Sequence, residues 1–324
     1  MDDHTERLCE AVRALTIHSP NIFSWFGSRT QRSRRERVEG GDTFEWLQLS
    51  IQRQLYNGFY CIGIAQPAMD VAHSDSRLVS RWIADLSAAN RGHGCADAGW
   101  TLVDDRDGSA IVRKNGLTFE IRGRVPRNEK RSRLVTVRLP KEFVSFAPGF
   151  YTALGDQPLA DREPYFRVYW NLPVGSARAF VRNTTELLNR RRIAFRLKVV
   201  DDPARFLRCD SAVIYLRRRD RAKAYAAIEF LLGVQSIKRN VLVPAFTKAI
   251  APGVAIAEQP PHGESFGQNR TRTVAEALVV SYRHGDRDVA RRFARVLEAF
   301  QSYGVDLRRP HLNSGSKDIY PCLM

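Results

Sequence analysis

Along the first part of the chain, apolar residues recur every three to four positions. In TERLCEAVRAL, Leu8, Val12 and Leu15 fall on one helical face. TFEWLQLSIQRQLYNGFYCIG repeats the spacing with Phe44, Leu47, Ile51 and Leu55, then meets a breaker at Asn57-Gly58. RLVSRWIADLSAAN gives a third helix. Residues 1–95 therefore read as a helical N-terminal region. Between its first two helices runs GSRTQRSRRERVEGGD, a basic stretch closed by two glycines and read as a disordered loop. Just before it, NIFSWFGS gathers Phe23, Trp25 and Phe26. Exposed, such rings make an interface; packed, they complete a core.

After RGHGCADAGW the period becomes two. WTLVDDRDGSAIVRKNGLTFEIR reads as three strands joined by Asp-Gly and Asn-Gly turns. RLVTVRL adds a strand in which Val135, Val137 and Leu139 alternate with polar residues. The remainder alternates: strand YFRVYWNLP, a helix over 175–192, strands IAFRLKVVD and SAVIYLRR, and a helix over 220–234. Two further helices, one opening at ESFGQNRTRTVAEAL and one near 286–303, precede an irregular tail. The expected class is α+β, a helical N-terminal part followed over 96–324 by a mixed β-sheet with flanking helices.

Charge narrows the partners. The 324 residues hold 51 Lys and Arg against 35 Asp and Glu, a net charge of +16. That surface attracts polyanions without choosing among them. A nucleic acid ranks last, because the sequence has neither a recognition motif nor an aromatic stacking platform interleaved with basic residues. The five cysteines have no metal-type spacing and suit a reducing cytoplasm. The N-terminus carries no signal peptide, and no apolar run approaches the ~20 residues of a membrane span. No motif calls for a cofactor or a metal.

Two strands carry candidate chemistry. Alternation puts Arg167, Tyr169 and Asn171 on one face of YFRVYWNL and Phe166, Val168 and Trp170 on the other, apolar face. In IAFRLKVV it pairs Arg196 with Lys198. If the strands are neighbours, their polar rows merge into a basic patch; otherwise each is an ordinary solvent face. DDPARFLRCDSAVIYL adds Arg205, Arg208 and Asp210 before a strand. Arg270 and Arg272 stand where a loop becomes a helix, a place suited to an anion or merely to solvated arginines.

From APGFYTALGD through FRVYWNL, FRLKV, DSAVIYL and GESFGQNRTRTVAEAL to DIYP, roughly residues 100–320, the chain resembles the HopA-type effector family. That family includes type III effectors of plant pathogens and stand-alone proteins of class V lanthipeptide and thioamitide biosynthesis. The resemblance implies a phosphoserine/phosphothreonine lyase. A partner kinase resembling aminoglycoside phosphotransferases phosphorylates a precursor peptide, and the lyase removes the phosphate to leave dehydroalanine or dehydrobutyrine. It is more distantly similar to OspF-type phosphothreonine lyases, which carry Lys-x-His on the corresponding strand. Here that place holds Arg167-x-Tyr169, so roles follow from chemistry. β-Elimination needs a base, an acid and charge neutralisation on the leaving phosphate. Lys198 is the expected base and Tyr169 the acid, with His262 as the other candidate acid. Asp210 orients an arginine, and Arg167, Arg208, Arg270 and Arg272 hold phosphate. Residues 1–95, with Trp25 and Phe26, are expected to help dock the kinase or leader peptide. The competing reading is a non-catalytic effector or peptide- or kinase-binding module of the same fold.

Overall fold

The computed structural model describes residues 3–38, 42–66, 73–106, 108–122, 133–159, 163–261 and 264–323. The helical periodicities become α1 (Asp3–Ala14), α3 (Thr43–Leu55) and α4 (Ser76–Ala89), with a short α2 (Arg34–Val38) between the first two. Leu8 and Val12 of α1, and Leu47, Ile51 and Leu55 of α3, are fully buried, as one apolar stripe requires. The chain runs through the expected breaker at Asn57-Gly58: α3 continues as a π-helical turn, Tyr56–Tyr60, which buries Phe59 and Tyr60.

The N-terminal region is not wholly helical. Leu15–Ser19 (β1), Ile22–Trp25 (β2) and Ser28–Gln31 (β3) form an antiparallel meander turned at Phe26 and Gly27, both with positive φ. NIFSWFGS is therefore strand and turn. Phe23 and Trp25 point inward and are buried, and Phe26 is half-buried against them. The end of α1 depends on distant groups. The carbonyl of Ala11 accepts from the Trp25 indole (3.1 Å), that of Val12 from Arg292 (2.9 Å) and that of Ala14 from the Phe26 N–H (3.1 Å). The last carbonyls of a helix have no partners of their own, and a cation is favoured there.

A small sheet follows, ordered β6-β5-β4-β7: Cys95–Arg106 (β4), Ser109–Lys114 (β5), Leu117–Arg122 (β6) and Leu134–Leu139 (β7). The predicted Asn115-Gly116 turn joins β5 to β6 with both residues at positive φ, the geometry that fits a two-residue hairpin. Trp100, Val112, Val135 and Val137 make a separate core beneath it.

The main sheet has seven strands, ordered β13-β14-β10-β12-β11-β9-β8. These are Glu142–Ala147 (β8), Phe150–Leu154 (β9), Tyr165–Trp170 (β10), Phe195–Val200 (β11), Ala212–Arg217 (β12), Lys248–Ala251 (β13) and Val254–Glu258 (β14). The α+β class is observed, but every strand pairing among the described residues is antiparallel, so the sheet is not mixed. β10 and β11 run the same way yet are not neighbours; β12 lies between them. One face packs on α4, α5 (Ala177–Arg190) and α6 (Arg221–Leu232) through Phe166, Val168, Trp170 and Phe180. The other face, expected to be open, is covered. Tyr169, Val213 and Tyr215 join Leu8, Phe23, Trp25, Ile51 and Tyr60, together with residues of α7 (Phe266–Arg283) and α8 (Val289–Ser302), in a second core. Residues 1–95 and the main sheet thus share apolar packing.

Candidate active site

Antiparallel register aligns side chains across strands. Arg167 of β10, Tyr215 of β12 and Arg196 of β11 form one rung, and Tyr169, Val213 and Lys198 form the next. The two polar rows therefore meet, with Tyr215 inserted between them. The Arg167 guanidinium carbon lies 5.0 Å from the Tyr215 ring centroid, and the Lys198 ammonium lies 5.5 Å from it. Arg167 and Tyr215 are buried, whereas Arg196 and Lys198 are half-buried. Burial alone would raise the phenol of Tyr215, but the positive charges of Arg167, Lys198 and Arg196 outweigh it and hold its pKa below the usual 10. No carboxylate pairs with Lys198 among the described residues.

Arg167 is aimed by a relay. Gln259 donates from Nε2 to the carbonyls of Pro260 (3.1 Å) and Glu264 (3.0 Å), which turns its Oε1 toward the guanidinium; Arg167 donates to it from Nε at 2.8 Å and from a second nitrogen. Burial pulls the pKa of Arg167 down, but neighbouring Tyr215, Tyr169 and Tyr60 raise it by more, so its charge is secure.

Tyr169 is only 1% exposed, and among the described residues its hydroxyl has no well-aligned hydrogen-bond partner. Burial pushes it up to about 12, with Arg167 pulling the other way. Phe266 at the start of α7 and Tyr60 of the π-helical turn close over it. The lid fits this closely because residue 267 is glycine: a Cβ there would stand 2.3 Å from the Tyr60 ring.

The remaining predicted residues are less free than expected. Arg208 forks onto Asp210, Nε to Oδ1 at 2.5 Å and a terminal nitrogen to Oδ2 at 3.0 Å, and its terminal nitrogen also reaches Tyr56 (3.3 Å) and Cys61 Sγ (3.1 Å). Asp210 thus accepts both arms of the Arg208 fork. Arg270 is 3% exposed and holds the returning tail, donating to the carbonyls of Pro310 and Leu312, each at 2.9 Å. Burial lowers its pKa to about 10. Arg272 lies on another side of α7, paired with Glu264 (3.2 Å) and Glu276 (2.7 Å). The first turn of α7 is capped by Ser265, which accepts from the Gln268 N–H at 3.2 Å. Arg167, Tyr169 and Lys198 share one face of the sheet, Arg208 and Asp210 stand in the segment just before β12, and Arg272 pairs elsewhere on α7. His262 lies outside the described residues. Tyr215 was missed, although period two in SAVIYLRR puts it on the polar face.

Among the described residues no helix is long and apolar enough to cross a membrane. A family model described as the HopA1 effector protein family matches residues 144–312, just over half of the chain. Among solved structures, the chain is similar to the effector protein from Pseudomonas syringae pv. tomato strain DC3000, with 16% identity, a TM-score of 0.49, and coverage of 82% of this chain and 90% of that one. It is also similar to the effector protein from Pseudomonas syringae pv. syringae strain 61, with 15% identity, a TM-score of 0.44, and coverage of 81% and 88% respectively. No curated protein matches the chain.

Proposed function

The chain belongs to the HopA1 effector protein family, and on that premise we propose that it is a phosphoserine/phosphothreonine lyase acting on a kinase-phosphorylated precursor peptide in the cytoplasm. The observation that carries the reading is the rung Arg167–Tyr215–Arg196 with Lys198 one step along, a strip of cations arranged around a phenol. Arg196, half-buried at the rim, receives the phosphate, with Arg167 fixed behind it. Lys198 takes the proton from Cα. The released electron pair forms the Cα=Cβ bond, and the Cβ–O bond breaks. Tyr215 gives its phenolic proton to the departing phosphate oxygen. A phenol held below its usual pKa is a better acid at neutral pH than Tyr169, which is raised to about 12 and sealed from solvent. The product is dehydroalanine or dehydrobutyrine.

Incubation with phosphoserine and phosphothreonine peptides, followed by mass spectrometry, tests this. Elimination removes phosphoric acid and leaves an unsaturated residue, whereas hydrolysis leaves the alcohol. Unchanged phosphopeptide or the alcohol refutes the lyase. One observation favours the second reading, a non-catalytic module that binds a peptide or a kinase: Arg208, Arg270 and Arg272 place donors on the protein's own groups. Binding of phosphopeptide without elimination would select it.

A further inference from the structure

Beside the candidate site, between the small sheet and the edge of the main sheet, lies a cleft of about 400 Å³. It falls in the size range of ligand pockets, roughly 300–1,000 Å³. One wall is a run of rings. Phe119 of β6 stacks on Phe143 of β8 at 5.5 Å and an interplanar angle of 11°, and Phe143 stacks on Phe146 at 5.6 Å. Trp100 of β4 lies 5.3 Å from Phe119. Phe119, Phe143 and Phe146 are only half-buried, so the wall keeps apolar surface facing the space. At one end, polar groups satisfy each other: Asp97 accepts from Lys114 at 2.7 Å and from the Trp100 indole at 2.7 Å.

The other end opens on the rung. Arg196 lines the cleft and lies 5.7 Å from the centroid of Phe146. Leu154, its register partner on β9, lines it too, as does Tyr165, whose ring is 5.9 Å from that of Tyr215. A peptide with its phosphate at Arg196 therefore has an aromatic cleft within reach of the next side chains, since same-side residues of an extended chain repeat every ~7 Å. We infer that this cleft seats a large apolar or aromatic side chain flanking the phosphorylated residue of the peptide substrate. The inference rests on the phosphopeptide reading of the adjoining rung. It assigns a specificity role to β4–β6, which precede the residues matched by the family model.

The test is equilibrium binding of labelled phosphothreonine peptides to the full chain, the residues flanking phosphothreonine being Phe, Leu, Ser or Asp. The parent protein should prefer Phe or Leu over Ser or Asp by about tenfold or more, the order expected for burying one large apolar side chain. Phe143→Ala should remove that preference while competition by inorganic phosphate is unchanged. Phe143→Leu, which keeps most of the volume, should retain part of it and guards against misfolding of the alanine variant. Lys198→Ala should bind with the flanking preference intact, so loss of elimination and loss of the cleft read out separately. Equal affinity for all four peptides, no measurable peptide binding by the parent, or an undiminished preference in both Phe143 variants would overturn the inference.

Discussion

Trp25→Ala should nearly unfold the protein. The side chain is 2% exposed and sits in the core shared by α1, α3, α7 and the main sheet. Truncating a buried Trp to Ala costs about 3–5 kcal/mol. Its indole also donates to the Ala11 carbonyl at 3.1 Å, and losing that bond adds about 1 kcal/mol. The sum, about 4–6 kcal/mol, rivals the whole stability of many domains, about 5–15 kcal/mol. Trp25→Phe keeps one six-membered ring but loses the pyrrole half of the indole with its N–H, so it should cost less than the alanine variant, about 2–3 kcal/mol. Urea titration followed by far-UV circular dichroism measures both, through the midpoint at unchanged slope. A Trp25→Ala protein destabilised by less than about 1 kcal/mol would refute the assignment of this ring to the core. The result also bears on docking: loss of kinase binding by Trp25→Ala would report a lost fold and not a lost contact surface.

Lys198→Ala should abolish elimination from folded protein, and Tyr215→Phe should remove an alkaline fall in rate that the parent shows below pH 10 as the phenol loses its proton; a Tyr215→Phe rate profile matching the parent's would exclude it as the acid. Arg270→Lys should lose about 1–3 kcal/mol despite keeping its charge, because one ammonium cannot reproduce the fork onto Pro310 and Leu312; parental stability with weaker phosphopeptide binding would make Arg270 a ligand group instead. His311 is buried and held down to about 4, the burial outweighing the opposing pull of Asp318 at 3.4 Å. With the folded pKa below the ordinary 6.5, its contribution is complete above pH 6.5 and is lost as pH falls toward 4, about 3 kcal/mol in all. The acid limb of unfolding stability should therefore be shallower in His311→Gln than in the parent, and identical limbs would refute the reading.

Helical periodicity located α1, α3 and α4, and alternation assigned Arg167, Tyr169, Arg196 and Lys198 to their sides of the strands. Those signals are local, set by 3.6 or 2 residues per repeat. Alternation states which residues share a face, but not what covers it; hence the open face turned out to lie beneath Tyr60 and Phe266. The strands β1–β3, of four or five residues each, are too short for a period to register against neighbouring helices. The fate of Arg270 could not be read at all, since its acceptors arrive with a tail 40 and 42 positions later. The insertion of β12 between β10 and β11 is likewise a matter of topology, and it is what puts Tyr215 among the cations.

The capping of α1 has a consequence for synthesis. During synthesis α1 finishes with carbonyls that wait for Arg292, which lies 280 positions after Val12 and 277 after Leu15. Its buried face, Leu8 and Val12, packs in a core completed by Val296 and Phe300 of α8. Short isolated helices are marginal in water, so α1 stays incomplete through most of translation. Its fold is sealed only when α8 emerges, and the nascent chain must keep that apolar face from other partners until then.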